Sequence, residues 1–206
     1  MFRNPLVTLG PGVAIEIRGD DLSVALVKSR LKGVSVLGQA TLADFRRRPP
    51  AEWGEEYRAF LKNHRYPDLP ATLILPRAEA IVRLLTLPAA AKSKLKSAVG
   101  YQLDSLHPFG EEEVYSGYAA LEARDGSQPV AVVIAARSVV DGYADLFAEA
   151  GIKLGGVTVA AAAYYGAIRL LRGRPASSFL LVDEHNSTFE LYGESPARPF
   201  FSAAFD

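Results

Sequence analysis

Two short segments carry acidic residues whose placement could serve chemistry. Each puts one carboxylate near the end of an apolar, β-rich run: Glu16 in the first forty residues and Asp183 near the other end of the chain. Arg18, Gly19 and further acids follow Glu16, while Glu184 follows Asp183.

The other residues that could do chemistry lack the spacing that it needs. The chain has no cysteine, which excludes disulfides, zinc–thiolate sites and cysteine nucleophiles within it. No pair of the three histidines has a metal-ligand spacing such as HxxxH, and no serine lies in a GxSxG motif. His107 precedes a proline and is predicted to cap or pack at a helix end. Glu111–Glu113 is predicted to be an exposed turn, and His185 is the histidine nearest the second acidic segment.

The charge balance argues against nucleic acid as a partner. The 206 residues contain 23 Lys and Arg and 23 Asp and Glu, so the chain has no net field to attract a polyanion. The basic cluster 46–48 is predicted to be a solvated loop. No apolar stretch reaches the roughly 18 residues of a spanning helix. We therefore expect a cytoplasmic protein that meets a membrane only through partners or through a segment beyond Asp206.

The first acidic segment is positioned by a predicted group of four strands and one helix. The strands are Val13–Ile17, Leu22–Val27, Val34–Leu42 and Ala71–Leu75, with Gly and Asp in the turn that joins the first two. The helix from about Ala51 to Asn63 has one apolar face, because its large side chains recur at helical spacing. These side chains are Trp53, Tyr57, Phe60 and Leu61.

The middle of the chain has the order β-α-β-β-α-β, which is the split βαβ pattern of ferredoxin-like units. The predicted elements are a strand at Ala80–Leu87, a helix at Lys92–Leu106, strands at Val114–Glu122 and Val130–Ala136, a helix at Asp141–Ala150 and a closing strand at Lys153–Val159. Pro108 stops the first helix, and Gly151 is expected to cap the second in a left-handed conformation.

The opening pattern returns after an Ala-rich helix at Ala160–Leu171. Three strands are predicted at Phe179–Asp183, Thr188–Tyr192 and Arg198–Ala203. When Ala14-Ile15-Glu16 is laid over Leu181-Val182-Asp183, the second strands of the two segments also coincide. Such a repeat indicates a duplicated domain, and its second copy stops after three strands. We therefore expect these residues to be part of a longer protein.

Over nearly its whole length the chain resembles the PilM and GspL family. PilM is an actin-like component of type IV pilus assembly, and GspL is its counterpart in type II secretion. The motifs that carry the resemblance are Leu75-Pro76-Arg77, Arg83–Pro88, Tyr101-Gln102-Leu103, His107-Pro108-Phe109, Glu111–Tyr115, Val133–Arg137, Tyr143 and Ala150-Gly151-Ile152.

The resemblance implies an α/β fold with mixed sheets, of the actin-like ATPase and RNase H type. Residues 1–78 would form the first core and residues 79–159 an inserted ferredoxin-like subdomain. Residues 160–206 would form the return helix and the start of an incomplete second core.

The resemblance also implies a function. It suggests a non-catalytic scaffold at the cytoplasmic face of the inner membrane, which binds the cytoplasmic tail of a PilN-like membrane protein and a PilB- or GspE-like assembly ATPase. A groove beside the small subdomain would accept the tail, with Leu73–Arg83 and Val157–Tyr165 as the candidate contacts. A homodimer is left open.

The resemblance makes ATP the cofactor to consider, and the two acidic turns depart from the phosphate-binding pattern. Actin-like ATPases hold nucleotide between two hairpins in which a strand ends in Asp and Gly follows. Here Glu16 replaces the Asp, Ile17 replaces the Gly, and two more acids lie where phosphate would bind. In the second hairpin Asp183 matches, but Glu184 takes the Gly position. Negative charge there would repel a polyphosphate, so we expect no ATP, no magnesium and no catalysis.

Two alternatives stay open. One is a nucleotide-binding actin-like ATPase of the PilM or FtsA type, or a sugar kinase of the same superfamily, which would need glycine-rich hairpins. The other is a filament-forming protein of the FtsA kind, which would need a C-terminal amphipathic anchor. Neither feature is present in these 206 residues.

Overall fold

The computed structural model describes residues 9–30, 33–110, 113–123, 125–172, 178–185 and 188–205. Within them the elements are, in chain order, β1 (Gly10–Arg18), β2 (Asp21–Arg30), β3 (Gly33–Leu42), α1 (Pro50–Asn63), β4 (Ala71–Leu75), β5 (Ile81–Pro88), α2 (Leu95–Leu103), β6 (Val114–Ala120), β7 (Ser127–Ala136), α3 (Arg137–Glu149), β8 (Leu154–Val159), α4 (Ala160–Arg172), β9 (Phe179–His185), β10 (Thr188–Glu194) and β11 (Phe201–Phe205).

The described residues divide into two compact units. Unit A contains the described residues of 6–76 and 140–174, and unit B those of 77–139 and 175–206.

Unit A is built on a five-stranded sheet in the order β3-β2-β1-β4-β8. The pairs β3–β2 and β2–β1 are antiparallel, whereas β1, β4 and β8 run parallel. Strand β1 alternates between core and partly open positions, and Val13, Ile15 and Ile17 are 3%, 0% and 3% exposed. This period of two is what a half-buried strand requires.

Helix α1 covers the apolar side chains of this sheet with the face that the sequence predicts. Trp53, Tyr57 and Leu61 are buried, and Phe60 is half-buried against His64. The Trp53 ring makes edge contacts with Phe45 and Phe147, at centroid distances of 6.0 and 5.4 Å. Such edge-to-face pairs add to the area that the rings remove from water.

The strand predicted to close the ferredoxin-like unit lies elsewhere. Strand β8, within the predicted strand Lys153–Val159, pairs in parallel with β4 in the sheet of unit A. The small sheet of unit B therefore has the three strands β5-β7-β6, all antiparallel. The order β-α-β-β-α-β is correct along the chain, but its last strand belongs to the five-stranded sheet of unit A and not to the three-stranded sheet of unit B.

The three-stranded sheet of unit B has its own core. Val130, Val132 and Ile134 of β7 are fully buried on one face, where Leu95 and Val99 pack against them. Helix α2 is shorter than the predicted Lys92–Leu106, because residues 89–94 form a 3-10 helix before it. Leu103 and Leu106 still pack on this core, as the helical spacing predicts.

The predicted internal repeat is present in the strand registers. In the first hairpin Glu16 pairs with Ser23, and in the second Asp183, which the repeat aligns with Glu16, pairs with Glu190. Ile17 pairs with Leu22, and the aligned residues Glu184 and Phe189 pair as well. A third antiparallel strand follows in each copy, so that β3-β2-β1 and β11-β10-β9 have the same arrangement.

Helices α1 and α3 approach closely where α3 ends. The Arg58 guanidinium donates to the carbonyl of Ala150 (2.9 Å), and Gly151 follows with a φ of 70°. The amides of Gly151 and Ile152 donate back into the last turn of α3, which confirms the predicted glycine cap. A Cβ on Gly54 would lie 2.0 Å from the Ala150 carbonyl oxygen, so this crossing depends on a glycine in α1.

Among the described residues, no helix combines the length and the apolar character that crossing a membrane requires.

Candidate functional site

The first acidic segment forms a two-residue turn that is closed by its own side chains. Arg18 pairs with Asp21 at the end of the β1–β2 hairpin, and Gly19 has the positive φ of 62° that this turn needs. The Arg18 Nε lies 2.6 Å from a carboxylate oxygen of Glu16. The acid that would orient a magnesium ion is therefore engaged by its neighbour in the same strand.

Ile17 takes the position at which the resemblance leads us to expect a glycine. The pattern of actin-like ATPases requires a small residue here, so that backbone amides can approach the anion. Ile17 is 3% exposed and belongs to the core of unit A, opposite Leu22. The isoleucine that stands here instead of a glycine is therefore part of the hydrophobic core.

The two acids of the turn hold the segment that follows β3. Asp20 lies 3.0 Å from the Arg47 guanidinium, and the Asp21 carboxylate accepts a hydrogen bond from the amide of Asp44 (3.0 Å). The backbone carbonyl of Asp20 also accepts from the amide of Phe45 (2.9 Å). The polar groups of the turn are therefore bonded to other residues of the same chain.

Arg46 links the same turn to α3. Its Nε donates to the Gly19 carbonyl (3.4 Å), its Nη2 donates to the Tyr143 hydroxyl (2.7 Å), and its guanidinium lies 4.9 Å from the Phe45 ring centroid. The cluster 46–48 lies in an exposed turn, as its composition predicts, with Arg46 and Arg47 exposed and Arg48 half-buried.

Arg48 completes that cluster through α1. It pairs with Glu56, and its Nε lies 3.6 Å from Glu52. The hydrogen bond that Arg48 donates to the Glu56 carboxylate raises the pKa of Arg48. Each arginine of the cluster thus contacts an acid or a carbonyl, which a composition count does not reveal.

Asp183 lies in a strand, as the sequence predicts, and that strand continues through Glu184 to His185. Asp183 and Glu184 belong to β9, and the predicted loop residues 186 and 187 lie outside the described residues. Glu184 is exposed, and Asp183 faces Glu190 across the β9–β10 pair. This arrangement places two carboxylates directly opposite one another, which disfavours an anionic ligand on the same face.

Arg77 is a residue whose role sequence reasoning missed. Its amide donates to the Glu190 carboxylate (2.9 Å), its Nε to the Ser202 hydroxyl (3.1 Å) and its Nη1 to the Ala80 carbonyl (2.5 Å). Burial, with the nearby charge of Arg83, lowers the pKa of Arg77. Arg77 thereby fixes β10 and β11 to the segment before β5, and its place in the motif Leu75-Pro76-Arg77 was the available signal.

The histidines of the described residues have structural roles. The His64 Nδ1 contacts the Phe60 carbonyl (2.8 Å), and its ring packs over Gly38. His107 is 8% exposed at the end of α2 and accepts the amide hydrogen of Phe109 at 3.2 Å, which confirms its predicted place. The His185 side chain lies outside the described residues, as do Glu111 and Glu112.

Clusters of metal-ligating side chains were sought among the described residues. No group of three or more His, Asp and Glu side chains there could hold an ion. Glu113, the described member of the acidic run, accepts a hydrogen bond from the Gly110 amide (3.0 Å).

The two ranges predicted to contact a partner tail differ in accessibility. Leu73 and Leu75 in β4 are 0% and 1% exposed and face the core, whereas Arg83 is exposed. Tyr164 and Tyr165 are both half-buried. The Arg169 guanidinium lies 3.4 Å from the centroid of the Tyr165 ring.

Comparison with known proteins gives consistent results. No protein-family model matches the chain. Over 93 residues it is 34% identical to type II secretion system protein L of Xanthomonas campestris pv. campestris, a match that covers 45% of this chain and 25% of that protein. It therefore spans well under two thirds of that relative.

Two solved structures have a similar fold. The first, described as a PilM–PilN type IV pilus biogenesis complex, matches with a TM-score of 0.69 and 20% identity over 94% of this chain and 61% of that chain. The second is the cytoplasmic domain of EpsL, an inner membrane component of the type II secretion system of Vibrio cholerae. Its TM-score is 0.61 at 14% identity, over 96% of this chain and 71% of that one.

The fold thus defines an α/β protein of the actin-like class, as the sequence resemblance predicts. The chain is similar to the PilM and EpsL structures in fold over almost its whole length, and to type II secretion system protein L in sequence over 93 residues.

Proposed function

We propose that this chain is a non-catalytic scaffold of a type IV pilus or type II secretion assembly platform, acting at the cytoplasmic face of the inner membrane. Support comes from the likeness to type II secretion protein L and to the structures of PilM and EpsL. The single observation that carries the non-catalytic part is the closed first turn, in which Glu16 is held by Arg18 and Ile17 is buried.

The turn disfavours nucleotide for two physical reasons. Its backbone offers one glycine, Gly19, at the tip, whereas the position beside the acid holds a core isoleucine. Its carboxylates at Asp20 and Asp21 add negative charge where a triphosphate would need donors. Their arginine and amide partners offset that charge locally without creating a cradle of free N–H groups.

Isothermal titration of the chain with Mg-ATP tests this part. We expect no saturable heat, with circular dichroism showing that the protein is folded. The matched variant is Asp20→Asn, which removes one charge from the turn and leaves Ile17 in place. Because the backbone cradle is still missing, this variant should not bind either. Saturable binding at micromolar affinity by the wild-type chain would contradict the proposal.

The proposed partners are the cytoplasmic tail of a PilN-like membrane protein and a PilB- or GspE-like assembly ATPase. The matched PilM structure is a complex with PilN, which supports a tail of that kind. Within the candidate contact range Leu73–Arg83, the buried Leu73 and Leu75 are unsuited to direct contact, while Arg83 is accessible.

Fluorescence anisotropy with a labelled tail peptide tests this interaction. The peptide is the cytoplasmic tail of the PilN-like protein encoded in the same gene neighbourhood. We expect saturable binding that Arg83→Glu weakens and that Lys62→Glu, an exposed cation on α1, leaves unchanged. Co-elution with the neighbouring assembly ATPase in size-exclusion chromatography tests the second partner. Absence of tail binding at high peptide concentration would argue against the scaffold role.

A further inference from the structure

The segment that joins β5 to α2 carries cations that no protein side chain neutralises. Residues 80–103 contain the four cations Arg83, Lys92, Lys94 and Lys96 and no aspartate or glutamate, in a chain whose charges balance overall. The three lysines are exposed, and none of their side chains forms an ion pair or a hydrogen bond in the part of the chain that the structure describes. We call residues 89–101 the lysine segment.

The basic cluster 46–48 differs from the lysine segment in this respect. Arg47 lies 3.0 Å from Asp20, and Arg48 pairs with Glu56. Those arginines are bonded within the fold, whereas the charges of the lysine segment remain available to a partner outside the chain.

The side of the lysine segment that faces the protein is already packed. Leu95 and Val99 lie against the core of the three-stranded sheet in unit B. Outside that contact the segment has small exposed residues, namely Ser93, Ser97 and Gly100. No bulky side chain of the segment therefore stands between the lysines and a surface that approaches them.

One aromatic ring projects from the same segment. Tyr101 is 88% exposed, which is the highest value among the large apolar side chains of the described residues. It follows Ser97 by four positions and Lys94 by seven, which is the spacing of residues along one side of a helix. The ring therefore continues the row that begins with Lys94.

We propose that the lysine segment binds the anionic headgroups of a phospholipid bilayer, with the Tyr101 ring in the headgroup layer. An anionic membrane surface attracts each lysine that comes within a Debye length of it, and these attractions add. Tyrosine is enriched at this depth of a bilayer, because its ring is apolar and its hydroxyl is polar. The segment has both kinds of side chain that such a contact uses.

The use of lysine favours a lipid surface over an acidic peptide. A single carboxylate or phosphate group is typically recognised by the planar fork of an arginine, which donates two parallel hydrogen bonds. Lysine is a point charge on a flexible stem, which suits mobile headgroups that have no fixed geometry. The cations of the lysine segment are all lysines, and no acid separates them.

Two exposed acids border the lysine segment and limit the attraction. Asp104 follows Tyr101 by three positions, and Asp125 precedes Gly126, whose carbonyl accepts the amide hydrogen of Ala89 (3.0 Å). Three lysines against two acids leave the surface positive. We therefore expect weak binding that depends strongly on salt.

This inference rests on the proposed function for its setting, because that proposal places the chain at the inner membrane. The two are tested separately, since vesicle binding and tail-peptide binding are different measurements. Failure of vesicle binding would leave the scaffold proposal intact, and failure of tail binding would leave the lipid contact intact.

Co-sedimentation of the 206-residue chain with sucrose-loaded vesicles is the primary test. We expect binding to vesicles of equimolar phosphatidylglycerol and phosphatidylethanolamine, and none to vesicles of phosphatidylcholine. Binding should weaken at least about tenfold between about 50 and about 300 mM NaCl, because salt screens exposed charges.

Charge variants locate the contact. Lys92→Gln/Lys96→Gln should weaken vesicle binding at least about tenfold, and Asp104→Asn should strengthen it about two- to fivefold. The matched control is Lys62→Gln/Lys153→Gln, which removes two exposed cations from unit A and should bind like the wild type. All of these side chains are exposed, so circular dichroism should not change. The Lys92→Gln/Lys96→Gln variant should also bind the PilN-like tail peptide as the wild type does.

A tryptophan reporter tests the place of Tyr101. The tryptophan of the natural chain, Trp53, is 0% exposed and supplies a constant background. In Tyr101→Trp, the emission of the new indole should shift to shorter wavelength on addition of the anionic vesicles, and brominated lipid should quench it. The control is Val36→Trp, at a residue of β3 that is 61% exposed, and its emission should not change.

Three results would overturn the proposal. The first is a wild-type chain that does not bind the anionic vesicles at about 50 mM NaCl. The second is binding that Lys92→Gln/Lys96→Gln does not weaken. The third is tighter binding of poly-glutamate than of the vesicles, lost in the same variant, which would assign the lysine segment to an acidic protein partner instead.

Discussion

Gly54 lies inside α1, where an alanine would ordinarily favour the helix. Here a Cβ would lie 2.0 Å from the Ala150 carbonyl oxygen and 3.1 Å from the Ala150 Cα, both of which are backbone atoms that cannot move aside cheaply. We therefore expect Gly54→Ala to lower the free energy of unfolding by about 1 to 3 kcal/mol, the usual range for overpacking. Urea denaturation followed by circular dichroism measures this change.

The control for that substitution is Gly142→Ala in α3. A Cβ on Gly142 would meet no heavy atom within 4 Å. The variant should gain roughly 0.5 to 1 kcal/mol from helix propensity alone. If both substitutions had the same sign, the crossing of α1 and α3 would not depend on Gly54 in the way that the structure indicates.

The Tyr57 hydroxyl is buried without a hydrogen-bond partner among the described residues. A buried polar group without a partner costs free energy relative to a phenylalanine of the same shape. We expect Tyr57→Phe to leave the free energy of unfolding at pH 7 unchanged or to raise it by up to about 1 kcal/mol. Thermal and urea denaturation of the two proteins check this, and a loss of more than that amount would show that the hydroxyl is bonded.

Burial raises the pKa of Tyr57 to about 12. The neutral phenol is therefore favoured by folding, and this preference is complete below the ordinary tyrosine pKa of about 10. The contribution is lost as pH rises through 12, because ionisation then becomes a cost to the folded state. Wild-type stability should fall relative to Tyr57→Phe by about 2 to 3 kcal/mol between pH 10 and 12. Parallel urea curves across that range measure the difference.

At the level of single residues, the sequence predicted which face of α1 is buried, but it did not predict which contacts limit the residues that α1 can carry. Trp53, Tyr57 and Leu61 follow from helical spacing, because burial of one face is a property of the sequence pattern. The need for glycine at position 54 could not be predicted, because the backbone atoms that exclude a Cβ there belong to Ala150, more than ninety positions further along the chain. Arg77 was likewise visible as a motif residue, but its partners Glu190 and Ser202 come from distant strands.

At the scale of an element, the β1–β2 turn depends on an arginine from the segment after β3. Arg46 donates to Gly19 and Tyr143, so Arg46→Ala should cost about 1 to 2 kcal/mol, as for two hydrogen bonds of a charged donor. A double-mutant cycle with Tyr143→Phe isolates the second bond, and we expect a coupling of about 0.5 to 1.5 kcal/mol. Urea denaturation of the four proteins supplies the cycle, and additive losses would show that the bond contributes nothing.

Strand β8 shows what the order of elements along the chain cannot predict, which is the sheet that a strand joins. The strand itself was predicted within one residue at its start, because Leu154 to Val159 is an apolar run after a glycine cap. Its sheet could not be predicted, since a strand after a helix can return to the insert or to the core. Parallel pairing with β4 is a long-range contact whose signal is absent from local periodicity.

At the scale of the molecule, the duplication was the most informative sequence pattern. It aligned the first and second strands of the two copies, and the structure shows that the aligned residues pair in the same register in both hairpins. For the candidate site, the sequence identified the acids and the missing glycine of the first turn. The arginine and amide partners that occupy those acids needed the fold, since they come from residues 44 to 47.

The same duplication yields a last prediction, for hydrogen exchange along the two copies. Val13–Glu16 in β1 is paired on both sides, with β2 and β4, while the aligned residues Leu180–Asp183 pair on one side within the described chain. Amides of a central strand open only with the core, whereas those at an edge open locally. At dilute protein, peptides from β9 should therefore exchange at least about tenfold faster than peptides from β1. Equal exchange in β1 and β9 would mean that the edge of β9 is already covered within one chain.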